Sequence, residues 1–271
     1  MTYRKKENLL YKVHRVYYTH NYCKEIGPDA WIASVGETCV DYLGRMRKNP
    51  LLNIFNCESN KNYRRIRYLP NGINVERLQL DLFSHKPLYR NFTFFAISGQ
   101  IWHKRSDLLV SAGKILSNKR QDFDILLTCR QGTKEYIEAN CGDISELSWL
   151  HFIEEYPFIG NIMCHADCFV STSLTETQSM AVAEATFYGL PVIQSDIPGT
   201  MWNANNPSTL VFQSQDSASL AEQMECVLDM DREELKAKCE QTRNRNMSIL
   251  SEEKWSDAML QLYKDVVKNS E

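Results

Sequence analysis

The chain has 271 residues, a length that suits one large or two small domains. Its composition, 43% hydrophobic and 24% charged, is typical of a globular protein. Its formal net charge of −3 gives no indication of a nucleic-acid partner. No apolar run reaches the ~18 residues of a transmembrane helix. The basic stretch 1–22 lacks the apolar core of a secretory signal. The nine cysteines are scattered, which favours reduced thiols over a disulfide framework. We therefore expect a cytoplasmic protein.

The N-terminal segment carries a basic amphipathic pattern. Residues 1–27 place apolar side chains at helical spacing between lysines and arginines. Such a helix either makes a peripheral contact with the inner face of a membrane or presents an ordinary solvated face. A short strand is predicted at 30–34 and another helix at 38–47.

The rest of the chain alternates between short apolar strands and helical patterns. The predicted strands are 91–98, 123–129, 150–153, 168–173, 191–195 and 209–212. The predicted helices are 108–116, the segment around Tyr136 and Ile137, 157–165, the segment from Ser179 to Gly189, 216–228, 232–246 and 251–268. This alternation predicts an α/β fold with a doubly wound, Rossmann-like parallel sheet.

The stretch 171–199 carries the main candidate site. It predicts a strand, a polar loop and a helix, which places the loop and the helix start at the carboxyl end of the sheet, where open α/β sheets bind ligands. Glu176 in the loop and Glu184 in the helix can accept hydrogen bonds from the hydroxyls of a ribose or a hexose. The helix-start amides suit a phosphate, because this end carries partial positive charge. These residues are Thr177, Gln178, Ser179 and Met180.

The spacing of these carboxylates resembles a known signature. Glu176-x7-Glu184, followed by Ala185-x3-Gly-Leu-Pro-Val, is similar to the motif of family 4 glycosyltransferases, retaining enzymes of the GT-B fold that use nucleotide-activated sugars. The resemblance implies that Glu176 holds hexose hydroxyls and Glu184 the ribose. The amides of Thr177–Ser179 would contact the sugar and phosphate. Ser179 stands where the family has a glycine, which puts close backbone approach in question.

The loop after the strand at 91–98 resembles the diphosphate-binding segment of the same family. There a glycine is usually followed by an arginine, and a lysine lies about five residues beyond the glycine. Gly99 and Lys104 match these positions, whereas Gln100 replaces the arginine. The replacement loses one charge-assisted contact, of order 1 kcal/mol or more, for which we expect Arg105 to compensate.

The resemblance also predicts the domain organisation. The turn at Asn71-Gly72 corresponds to the crossing from the acceptor-side to the donor-side domain. About 70 residues precede this turn, whereas a doubly wound domain needs on the order of 100. We therefore expect a partial, incomplete N-terminal α/β domain at 1–72, a nucleotide-sugar-binding domain at 73–250 and a crossing helix at 251–271.

The function implied is transfer of a hexose, with retention, from a uridine or guanosine diphosphate sugar to a glycan or lipid-linked acceptor in cell-surface polysaccharide or glycolipid synthesis. Glu176 and Lys104 would be the catalytic residues, without a protein nucleophile or cofactor. No metal is expected, because the cluster of Cys164, His165 and Cys168 lacks further ligands nearby.

Two alternatives differ in class. One is a nucleotide-sugar-binding half that is active only with a partner chain or through self-association, and the other is a GT-B enzyme of a different reaction, such as a sugar epimerase.

Overall fold

The computed structural model describes residues 32–35, 66–80, 85–98, 101–154 and 159–268. The chain divides into two compact units. One unit is Asn71–Leu260, and the other contains the residues before Asn71 together with Gln261–Glu271. The predicted N-terminal helix, the helix at 38–47 and the site residues Gly99 and Gln100 lie outside the described residues. The expected division at residues 72 and 250 stays a prediction.

A pair of short parallel strands is described in the unit that contains the N-terminal residues. Strand β1, Ile32–Ser34, pairs with β2, Ile66–Tyr68, in the register Ile32 to Ile66. The first strand lies inside the segment predicted at 30–34. The second was missed, because its residues belong to a polar and basic stretch without the apolar alternation that identifies a strand.

The larger unit is built on a six-stranded sheet. Its strands are β3 Phe92–Ala96, β4 Phe123–Thr128, β5 Leu150–Ile153, β6 Cys168–Ser171, β7 Val192–Ser195 and β8 Thr209–Phe212. The order across the sheet is β5-β4-β3-β6-β7-β8, and every neighbouring pair is parallel. The predicted doubly wound parallel sheet is confirmed.

Helices follow the strands. They are α1 Val75–Leu78, α2 Ile101–Lys104, α3 Ser106–Ser117, α4 Thr133–Cys141, α5 Gly160–Met163, α6 Met180–Phe187, α7 Ser217–Asp229, α8 Arg232–Leu250 and α9 Glu252–Lys268. The short α1 was not predicted. Helix α3 begins before the predicted Leu108, since Arg105 adopts a left-handed conformation (φ 50°) that separates α2 from α3. Among the described residues, none of these helices has the length and apolar character needed to span a membrane.

The sheet is covered on both faces. Successive strand residues point to opposite sides, so Phe94 belongs to one apolar cluster and Phe95 to the other. The first cluster includes Leu109 of α3 and Met224 of α7, and the second includes Val182 of α6. Burial on both faces explains the nearly continuous apolar strand sequences. The ends of the strands are therefore where we expect a ligand to approach the sheet.

The strand order changes direction between β3 and β6. The chain runs outward from β3 through β4 to β5, and outward on the other side from β6 through β7 to β8. At such a switch point the loops that follow the two central strands diverge and leave a crevice at the carboxyl ends of the strands. The segments that follow β3 and β6 therefore bound the candidate site.

Candidate functional site

Hydrogen bonds join the segments that follow β3 and β6. The amide of Leu174 donates to the carbonyl oxygen of His103 (2.8 Å), and the Thr172 hydroxyl donates to the carbonyl oxygen of Lys104 (2.6 Å). These bonds hold the end of α2 against the loop that carries Glu176. Two segments far apart in sequence thus form one wall of the crevice.

Lys104 and Glu176 meet in this crevice. The Lys104 Nζ donates to Glu176 Oε1 at 2.5 Å, across 72 positions of sequence. Their side chains are 24% and 16% exposed. The structure therefore brings together the lysine predicted to bind a diphosphate and the glutamate predicted to bind hexose hydroxyls, in a place that a ligand can reach.

A buried serine also contacts the Glu176 carboxylate. The Ser173 hydroxyl donates to Glu176 Oε1 at 2.9 Å, and Ser173 is only 1% exposed. Its carbonyl oxygen accepts a hydrogen bond from the Ser195 hydroxyl of β7 (2.9 Å). The sequence analysis did not single out Ser173, although the hydroxyl-rich end of the β6 segment was the signal that could have identified it.

The loop that carries Glu176 also packs on the segment after β7. A Cβ added to Gly199 would overlap the backbone carbonyl of Glu176. The Ser179 amide donates to the Gly199 carbonyl oxygen (3.1 Å). This amide therefore has a partner in the ligand-free protein, and a role of Ser179 in binding the donor stays a prediction.

The N-cap residue of α6 bears on anion binding as well. Ser179 has the extended conformation of an N-cap residue (φ −74°, ψ 97°), but its side chain makes no capping hydrogen bond. The first-turn amides of α6 therefore have no side-chain acceptor from the cap residue. Such amides are potential donors to an anion. For Thr177 and Met180, a role in binding the donor stays a prediction.

The side chain of Gln178 is buried and hydrogen-bonded to the backbone of Asn71. It is 6% exposed, its Oε1 accepts from the Asn71 amide (2.6 Å), and its Nε2 donates to the Asn71 carbonyl oxygen (3.4 Å). Both ends of the side-chain amide are thus used to fix the Asn71-Gly72 turn. The prediction for Gln178 concerned its backbone amide, and a role of that amide in binding the donor stays a prediction.

Arg105 was expected to replace a missing cation. Its Nε donates to Asp107 Oδ1 (2.9 Å) and its Nη2 to Asp107 Oδ2 (2.8 Å), with Asp107 buried. The Tyr136 hydroxyl donates to the same carboxylate (3.0 Å), and burial, aided by the charge of Asp107, raises the pKa of Tyr136 to about 12. In the ligand-free protein the guanidinium is thus paired with Asp107, and compensation by Arg105 for the missing cation stays a prediction.

Glu184 lines a cavity of about 560 Å³ beside α6, together with Met180, Tyr188, Arg77 and Trp255. Burial raises the pKa of Glu184, and the positive charge of Arg77 acts in the opposite direction. Within the described ranges, the Glu184 carboxylate makes no hydrogen bond or ion pair with another side chain. An acceptor that has no side-chain partner among the described residues, in a cavity of this size, is suited to the hydroxyls of a ribose.

The cysteine and histidine cluster considered for a metal does not converge. The Cys168 side chain is fully buried and burial raises its pKa well above the ordinary value, while Cys164 Sγ contacts the Asn161 carbonyl oxygen. The His165 Nδ1 contacts the Lys86 carbonyl oxygen. In the part of the chain that the structure describes, no group of three or more possible ligands is placed to hold a metal ion.

The doubly wound sheet, with a cation and a carboxylate meeting at its switch point, defines a Rossmann-like domain whose candidate ligand site lies at the carboxyl ends of β3 and β6. Residues 92–230, slightly more than half of the chain, match the family described as Glycosyl transferases group 1. The chain belongs to this family. No curated protein matches the sequence significantly.

Several solved structures share this fold. A glycosyltransferase from Rickettsia africae is 16% identical, with a TM-score of 0.72 over 93% of this chain and 67% of that chain. HepE from Anabaena, in complex with UDP and glucose, is 13% identical, with a TM-score of 0.68 over 86% of this chain and 62% of that chain.

A sucrose-phosphate synthase from Thermosynechococcus elongatus is 19% identical, with a TM-score of 0.61 over 86% of this chain and 62% of that chain. At these identities the similarity concerns the fold, and the expected likeness to glycosyltransferase folds is confirmed.

Proposed function

We propose that the protein transfers a hexose from a nucleotide-diphosphate sugar to a glycan or lipid-linked acceptor, with retention of configuration, as family 4 glycosyltransferases do. The observation that carries this proposal is the meeting of Lys104 and Glu176 at the switch point of the sheet, in a chain of the group 1 family. A cation suits the diphosphate and a carboxylate suits the sugar hydroxyls.

The donor would extend from this ion pair to the cavity beside α6. Lys104 would bind the diphosphate, Glu176 the hexose and Glu184 the ribose. The Glu184 cavity adjoins the segment that carries Glu176, because Met180 lines this cavity and also begins α6, directly after the Glu176 loop. A uridine diphosphate sugar is our first candidate, since HepE was solved with UDP and with UDP-glucose.

Catalysis would depend on orientation and on neutralisation of charge. Lys104 would stabilise the negative charge that develops on the leaving diphosphate, and Glu176 would hold the hexose in position. Neither role requires a metal or a cofactor. The acceptor would belong to cell-surface polysaccharide or glycolipid synthesis, in a cytoplasmic or peripheral membrane setting.

The test begins with binding. Calorimetric titration with UDP, GDP and ADP should give a measurable Kd for at least one nucleotide, and the corresponding nucleotide sugars should then be assayed for hydrolysis and for transfer to glycan and lipid-linked acceptors. Analysis of the product anomer tests retention. The proposal is wrong if none of these nucleotides or their sugars binds at millimolar concentration.

A second candidate is a nucleotide-sugar-binding half that turns over only with a partner. The chain spans 67% of the Rickettsia enzyme and 62% of HepE, so part of those proteins has no counterpart in it. Light scattering with and without nucleotide sugar, combined with the activity assay, separates the two candidates. Binding without turnover, in a chain that self-associates or captures a partner, supports the second one, whereas turnover by a monomer rejects it.

A further inference from the structure

Two donors share one oxygen of the Glu176 carboxylate. Lys104 Nζ lies 2.5 Å and Ser173 Oγ 2.9 Å from Glu176 Oε1. Within the described residues, no protein donor contacts the second carboxylate oxygen, Oε2. One edge of the carboxylate is thus held by the protein while the other remains available to a ligand.

The two donors differ in how easily they can leave. Lys104 is partly exposed and carries its ammonium on a flexible four-carbon chain. Ser173 is buried at the end of the β6 segment, and the Ser195 hydroxyl holds its backbone carbonyl at 2.9 Å. An incoming diphosphate competes with Glu176 for the lysine, since it is the more highly charged anion. It has no comparable access to the serine.

We propose that Ser173 is a positioning residue for sugar recognition, which holds the Glu176 carboxylate in place when the diphosphate of the donor draws Lys104 away. This inference rests on the proposed function. In the ligand-free protein the lysine neutralises the carboxylate. Once the lysine has moved to the diphosphate, the carboxylate regains its full strength as an acceptor for the hexose hydroxyls, while the Ser173 hydrogen bond preserves its direction.

The arrangement makes recognition of the sugar depend on the nucleotide. Without Ser173, a carboxylate that has lost its lysine would rotate, and the contribution of the hexose to binding would fall. Binding of the nucleotide alone would change little, because UDP does not need the carboxylate. The ratio of the two dissociation constants, Kd for UDP over Kd for UDP-glucose, therefore reports the role of Ser173.

The experiment measures both constants by calorimetry for wild type, Ser173→Ala and Ser173→Thr, with Ser117→Ala, at a half-buried position at the end of α3, as the matched control. We expect Ser173→Ala to weaken UDP-glucose binding about fivefold and to leave UDP binding within about twofold. Ser173→Thr, which keeps the hydroxyl, should restore most of the loss. Equal weakening of both ligands, or an unchanged ratio, overturns the inference.

Glu176→Gln provides a second, independent measurement if Ser173→Ala folds poorly. The neutral amide competes less well for Lys104, so we expect UDP to bind about threefold more tightly than to wild type while the added affinity from glucose is lost. Unchanged or weaker UDP binding overturns the competition on which the inference depends. Failure of wild type to bind any nucleotide rejects the proposed function as well, whereas normal nucleotide binding with an unchanged ratio rejects only the role of Ser173.

Discussion

Gly199 lies against the backbone of Glu176, so closely that any side chain at position 199 would overlap the Glu176 carbonyl. The contact joins the segment after β7 to the loop after β6. The carbonyl oxygen of Gly199 also accepts the Ser179 amide (3.1 Å). The position of the Glu176 carboxylate is therefore set partly by a glycine 23 residues further along the sequence.

Gly199→Ala should displace the Glu176 loop. We expect it to lower the free energy of unfolding by about 1–3 kcal/mol and to weaken UDP-glucose binding about tenfold, because the added methyl meets backbone atoms that cannot move independently. Gly189→Ala is the matched control: Gly189 has φ 77° and open space around it. The control should also destabilise the fold through backbone strain, but leave binding unchanged. Equal effects of both variants on binding would contradict the proposed role of the Gly199 contact.

Lys104→Ala and Glu184→Ala should each weaken nucleotide-sugar binding about tenfold, since each loses one charge-assisted hydrogen bond to the donor. Calorimetric titration with UDP-glucose measures the effect. Lys119→Ala is the control, because Lys119 is exposed and pairs with Glu225 near the amino end of β4, away from the crevice. Unchanged affinity in both site variants would show that the donor binds elsewhere.

Glu184→Gln should stabilise the ligand-free protein at neutral and alkaline pH. Burial raises the pKa of Glu184 above its ordinary value of 4.5, so the ionised form is less favourable in the folded than in the unfolded chain. This cost is fully present above the folded-state pKa and disappears as the pH falls through the folded-state pKa to the ordinary value. The variant should therefore have the higher urea midpoint at pH 8, with a smaller difference at pH 5.

The matched control for this measurement is Glu253→Gln, at an exposed position in α9. It controls for the removal of one carboxylate at a solvent-exposed position. A Glu184→Gln variant that is less stable than wild type at pH 8 would mean that attraction to Arg77 outweighs the cost of burial.

Donor binding should persist in excess chelator. The proposed diphosphate contacts are the Lys104 ammonium and the amides at the start of α6, which perform the neutralisation that a divalent cation provides in other transferases. Titration with UDP-glucose in EDTA should give a Kd within about twofold of the value in magnesium. Loss of binding in EDTA and its recovery with manganese or magnesium would contradict a metal-free site.

Local patterns were sufficient to predict the sheet but not every element around it. The strand at Leu150–Ile153 was placed at its observed bounds, because a short apolar run between polar segments is a local signal. The strand Ile66–Tyr68 and the helix Val75–Leu78 were missed. Each is too short for a hydrophobic period to develop, and the strand forms through pairing with Ile32–Ser34, a distant segment.

The sequence by itself determined the alternation of strands and helices and the candidates Glu176 and Glu184, since these depend on residue types at short, fixed spacings. Lys104 became a candidate through the resemblance to family 4 glycosyltransferases. Only the tertiary structure decided how the polar groups pair. It placed Lys104 on Glu176, Arg105 on Asp107 and Gln178 on the Asn71 backbone. Such pairings depend on which segments the packed sheet brings within hydrogen-bond distance. A charged or amide side chain looks the same in the sequence whether it binds a ligand or another part of the protein.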